Sequence, residues 1–144
     1  MNANTHTSVE MAIDNFIELM RTPQPADLQP LMRGLDGLIL LAHDVEFDFD
    51  EAEYPDPVTD NPHDTYTLAN RWLENLLKGY PESDPRPIDA IMDLSEILDD
   101  FLKIQWRFRH TSKADALFEF RFGFQSHWGH HARSLLKTLH FWCW

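Results

Sequence analysis

Apolar residues recur every three or four positions through five separate segments of this chain, and that spacing puts them on one face of an α-helix. The first segment runs from about Ser8 to Met20. Val9, Ile13, Phe16, Ile17 and Met20 keep its period, and Thr7 with Glu10 reads as a capping box. Pro23 and Pro25 close it. The second, from about Asp27 to Ala42, sets Leu28, Leu31, Met32, Leu35, Leu38, Ile39 and Ala42 on one stripe, with Pro30 tolerated in the first turn. The third begins near Pro62 or Asp64 and carries Tyr66, Ala69, Leu73, Leu76 and Leu77 up to Gly79 and Pro81. The fourth opens at Asp84 and Pro85 and carries Ile88, Ile91, Leu94, Leu98, Phe101, Leu102 and Trp106. Ser112 and Asp115 cap the fifth, which is expected to reach His140 or beyond. The expected fold is all-α, an antiparallel bundle of four to five helices with a long acidic loop between helices 2 and 3.

A chain of 144 residues has the size of one domain, so residues 1–144 are read as a single helical unit. Apolar residues make up 43% of it, enough to build a core in spite of the charge. Twelve Lys and Arg face twenty-four Asp and Glu, and the resulting charge of −12 opposes binding to nucleic acid or to an anionic membrane surface. Cys143 is the only cysteine, which excludes an intramolecular disulfide and a cysteine metal cluster. Met1 to Ser8 lacks the basic start and apolar core of a signal peptide, and the longest apolar run, Leu38 to Ala42, is far too short to span a bilayer. A cytoplasmic location is expected.

The C-terminal segment carries the most chemistry. On a helical wheel Leu117, Phe120, Phe124, Trp128, His131, Leu135, Leu139 and Trp142 form one stripe. His131 and Arg121 are the polar groups at positions where that pattern asks for apolar ones. The structural reading is a core histidine hydrogen-bonded to backbone or to a carboxylate, and an arginine tying helices together. The functional reading is a metal site. His127 and His131 are four apart, so both imidazoles reach one ion, and His43 or a carboxylate of the acidic loop would supply a third ligand to zinc, nickel or iron. No phosphate loop, nucleophile elbow or paired-carboxylate motif is present, so no cofactor is expected outside that alternative.

The run Phe120-Arg121-Phe122-Gly123-Phe124-Gln125-Ser126-His127-Trp128-Gly129-His130-His131-Ala132 resembles the closing segment of an uncharacterised bacterial family of all-helical domains. That resemblance implies an all-helical fold and marks Arg121, His127, Trp128, Gly129 and His131 as family features, with no established activity attached. A second similarity is to the DinB-like helical bundles, and it implies a metal set of His43, His127 and His131. Ala132-Arg133-Ser134 departs from the Arg-Gly-Gln stretch of those bundles.

Between Asp44 and Asp60 stand eight carboxylates and no basic residue. Asp44, Glu46, Asp48, Asp50, Glu51 and Glu53 alternate with Phe47 and Phe49 there, which reads either as a solvated connection pinned by its aromatics or as a docking strip for a protein with a basic surface. The expected function is a non-enzymatic interaction or regulatory protein of the inhibitor or immunity type, and metal binding is the alternative. At the chain end, Phe141-Trp142-Cys143-Trp144 should dock on protein. Trp142 is expected to continue the core stripe, and Trp144 to lie beside the first helices or across a homodimer interface.

Overall fold

The computed structural model describes residues 3–22, 27–46, 49–59 and 63–143. Among them are six helices and no strand: α1 (Ala3–Arg21), α2 (Gln29–Asp44), α3 (His63–Lys78), α4 (Arg86–His110), α5 (Lys113–Ser126) and α6 (Trp128–Cys143). None is long and apolar enough to cross a membrane. The longest, α4, packs on α1, α3, α5 and α6. Its buried face includes Ile91, Leu94, Ile97, Leu98, Phe101 and Ile104, each of which adds roughly 1.5–3 kcal/mol by its burial.

Three expectations give way. The first helix begins at Ala3, so Thr7 and Glu10 lie inside it and form no N-terminal box. Tyr66, Leu77 and Ile88 fall near the ends of their helices and stay exposed, although the wheel counts them as core. The expected four or five helices are six, because the expected fifth breaks at His127, whose φ of −145° and ψ of −82° leave the helical region. Two local signals at helix ends are satisfied. Ser112 caps α5 by accepting the Asp115 N–H at 3.0 Å, and the indole of Trp72 donates at 3.1 Å to the carbonyl of Met20, an acceptor left open at the end of α1.

The break has a packing cause. Trp128, fully buried, turns back onto α5 and donates its indole N–H to the Phe120 carbonyl at 2.9 Å. Its ring sits among those of Phe101, Phe120 and Phe124, at centroid distances of 5.0, 5.2 and 5.1 Å. Such a fold-back brings backbones together. A Cβ on Gly129 would lie 1.9 Å from the Phe124 carbonyl oxygen, and one on Gly123 would lie 2.8 Å from the Trp128 ring. Trp128 is therefore the pin of the corner, and the two glycines are the space it needs.

Candidate metal centre

The corner fixes where two histidines stand. The His127 N–H closes α5 by donating to Gly123 O at 2.7 Å, and its carbonyl begins α6 by accepting from the N–H of His130 at 3.1 Å and of His131 at 3.4 Å. His127 is thus clamped at the junction, and His131 follows one turn into α6. Both side chains face α4, where Asp93, Glu96 and Asp100 stand at steps of three and four, one face of that helix.

Each imidazole is held by a carboxylate of α4. His127 Nδ1 lies 2.6 Å from Asp100 Oδ2, and His131 Nδ1 lies 2.8 Å from Asp93 Oδ1. An ionised carboxylate can only accept, so each Nδ1 carries the proton and donates. In the neutral ring that leaves the Nε2 lone pair to act as a ligand. Burial pushes the Asp100 carboxyl above the ordinary 3.8, and the hydrogen bond from His127 acts against that push. The two rings meet edge to face at 4.8 Å.

Glu96 completes the group. Its Oε2 lies 3.4 Å from His127 Nε2, and one ligand atom from each of Glu96, His127 and His131 falls within 4.8 Å of the others. Two ligands on one tetrahedral zinc at about 2.0–2.1 Å are separated by roughly 3.4 Å. The Glu96–His127 edge already has that length, and His131 offers its ligand atom within 4.8 Å of both. All three are half-buried, so a water or a substrate oxygen has room to approach. A cleft of about 540 Å³ opens beside His127, lined also by Asp100, Lys103, Arg107, Glu119 and Ser126.

The third ligand expected from the sequence stands elsewhere. His43 is exposed at the end of α2, with its ring edge-on to Phe124 at 5.2 Å, and it is not one of the group. His131 is not central in the core as an unbroken wheel has it, since its side chain keeps 31% of its exposure. Arg121 is half-buried with its guanidinium over the Phe124 ring at 5.8 Å. Sequence reasoning does not find Asp93, Glu96 and Asp100. Their only signal in the sequence is a spacing of three and four on a helix that also carries Asp89 and Asp99, and that pattern is indistinguishable there from a solvated face.

Of the acidic stretch, Asp44, Glu46, Glu51 and Glu53 are exposed; Phe47 and Asp48 lie outside the described residues, as does Trp144 at the chain end. Asp50 is used internally. Its carboxylate accepts from the hydroxyls of Ser112 and Tyr54 and from the Ala52 N–H. These bonds, that of Ser112 foremost, hold the Asp50 carboxyl below its ordinary 3.8. Phe49 rests edge-on against Phe118 at 5.1 Å and is still 65% exposed.

No family model, curated protein or solved structure matches the chain.

Proposed function

We propose that the protein binds a divalent transition-metal ion, of which zinc is the first candidate, through His127, His131 and Glu96. The observation that carries this reading is the carboxylate on the Nδ1 of each histidine, Asp100 on His127 and Asp93 on His131. Such carboxylate–histidine pairs orient metal-binding imidazoles, fix their tautomer and raise their basicity. Two histidines and one carboxylate form the donor set of catalytic zinc and non-haem iron sites, which keep a position open. The ion would supply Lewis acidity at the mouth of the cleft beside His127. Glu96 takes the place that the DinB-like resemblance gives to His43. We take the six helices to form an antiparallel bundle, an architecture in which such centres arise between facing helices.

Metal analysis of tag-free protein after zinc, nickel and iron loading tests the reading. It predicts one equivalent retained through gel filtration, and loss of that equivalent in His127→Ala and in His131→Ala. Sub-stoichiometric metal in the parent protein, or an unchanged equivalent in both variants, overturns it.

A second reading rests on the exposed Phe49 among exposed Asp44, Glu46, Glu51 and Glu53. An aromatic anchor in a field of negative charge suits a cytoplasmic partner with a basic surface. Its mark is a partner retained on the protein at low salt and released at high salt. The variant carrying Asp44→Asn, Glu46→Gln, Glu51→Gln and Glu53→Gln should retain none, and equal retention by that variant removes the reading.

A further inference from the structure

On the opposite flank of α4 a cleft of about 710 Å³ lies between α1, α3, α4 and the stretch around Val58. It shares no residue with the metal group. Its volume falls in the range of small-molecule sites. The floor is apolar, with Leu68, Leu102 and Trp106 among the lining, and the charged lining is mostly cationic: Arg21 from α1, Arg71 from α3 and Arg109 from α4, against the single carboxylate of Asp64. Three of the twelve basic residues of a chain of charge −12 therefore converge on one cleft.

Chance placement of surface arginines does not explain Arg71. Its Nε is buried and has no hydrogen-bond partner among the described residues, and no other buried side-chain nitrogen or oxygen among them is left in that state. A buried donor on a charged group is costly to leave without an acceptor, and Arg71 lines the cleft from which one could come. Arg109 is only loosely held, 3.8 Å from Asp14, whose Oδ1 is already taken by the amide of Gln105 at 2.7 Å. A guanidinium fork is built to receive a carboxylate or phosphate oxygen pair. The indole of Trp106, stacked on the His110 ring at 4.7 Å, adds a flat wall to which a ring can lie parallel.

We propose that this cleft binds a small organic anion, its carboxylate or phosphate head on Arg71 with Arg21 and Arg109 at the rim, and its apolar or aromatic body against Leu68, Leu102 and Trp106. The site reads the shared chemistry of the two heads, an anionic oxygen pair on a hydrophobic body.

Titration of the full-length protein with 1-naphthoate and with 1-naphthyl phosphate, followed by ¹H–¹⁵N NMR with the side-chain Nε–H and indole signals in view, decides the matter. Saturable one-to-one binding of at least one anion is expected, with shifts at Arg71 Nε and the Trp106 indole. The uncharged 1-naphthalenemethanol should bind roughly tenfold more weakly or worse, since a charge-assisted pair contributes that much. Arg71→Gln should weaken the anion by a similar factor. Because Arg71 is partly buried, the double variant of the exposed Arg21→Gln and Arg109→Gln guards against a folding failure, and it should lose affinity too. His127→Ala should bind the anion unchanged, which separates this site from the metal centre. Preference for 1-naphthoate alone or for the phosphate alone identifies the head. Equal binding of the neutral alcohol, no saturable shift at millimolar ligand, or full affinity in both arginine variants overturns the proposal.

Discussion

Alanine at Gly129 and alanine at Gly37 should move stability in opposite directions, although each replaces a helical glycine. In a solvated helix interior the exchange is favourable, by about 0.5–1 kcal/mol, because alanine has less backbone freedom to lose. Gly37 in α2 meets that condition, since a Cβ there would meet no atom within 4 Å. At Gly129 the added methyl would lie 1.9 Å from the Phe124 carbonyl oxygen and 2.8 Å from its carbon. Those are backbone atoms, which no rotamer change moves aside, so α6 must shift off α5. Overpacking of this kind costs about 1–3 kcal/mol and occasionally more, and the displaced Trp128 would lose contact with three rings as well. We expect Gly129→Ala to lose about 3 kcal/mol or more. For a chain of this size that lowers the melting temperature by roughly 6–12 °C, and Gly37→Ala should raise it by a few degrees. Urea denaturation followed by circular dichroism, with tryptophan fluorescence as a second probe, reads both. Stabilisation by Gly129→Ala would refute the account of the corner.

Ser112→Ala removes the strongest of the bonds that depress the Asp50 carboxyl. Its pKa, read by NMR, should rise toward 3.8. Since the folded value is lowered, this group stabilises the fold above the ordinary carboxylate range and ceases to do so as pH falls through its folded value; the variant should show less of that acid-linked loss, and an unmoved Asp50 titration would contradict the geometry. Trp142→Ala should cost about 2 kcal/mol in thermal stability, because the indole stacks on Tyr80 at 4.9 Å and lies over Gly79; an unchanged melting temperature would show that the tail does not dock there. Asp100→Asn should weaken zinc binding about 10- to 100-fold by calorimetry, whereas Asp99→Asn, which breaks only the 3.0 Å surface pair with Lys103, should not; equal effects would place the action in net charge and not in the hydrogen bond to His127.

The helices are legible in the sequence because apolar period and punctuation agree for most of the chain. Pro23, Pro81 and Ser112 each mark a boundary within a few residues of where one falls. The corner at His127 is not legible, because the period continues through it: Phe124, Trp128, His131 and Leu135 keep helical spacing whether or not the backbone turns. Only a tertiary fact, the fold-back of Trp128 into space left by Gly123 and Gly129, breaks the rod. Trp142 does not continue the core stripe: it stands past the buried Leu139 in the last turn of α6, keeps 37% of its exposure and reaches Gly79 and Tyr80 just beyond α3. For the site, His131 stands out as a polar residue in an apolar stripe with His127 four residues before it, and that combination is a usable signal. Its carboxylate partners do not stand out, since acids on the outer face of a helix are ordinary. They acquire meaning only when α6 is laid across α4, and sequence spacing within α4 does not encode which face that is.

The most direct test of the metal centre is anomalous diffraction at the zinc edge from zinc-soaked crystals of the tag-free protein. A single strong peak about 2.0–2.2 Å from the Nε2 atoms of His127 and His131 and from a Glu96 oxygen is the predicted result. Peaks confined to the exposed carboxylates of Asp44, Glu46, Glu51 and Glu53, with nothing between α4 and the start of α6, would contradict it.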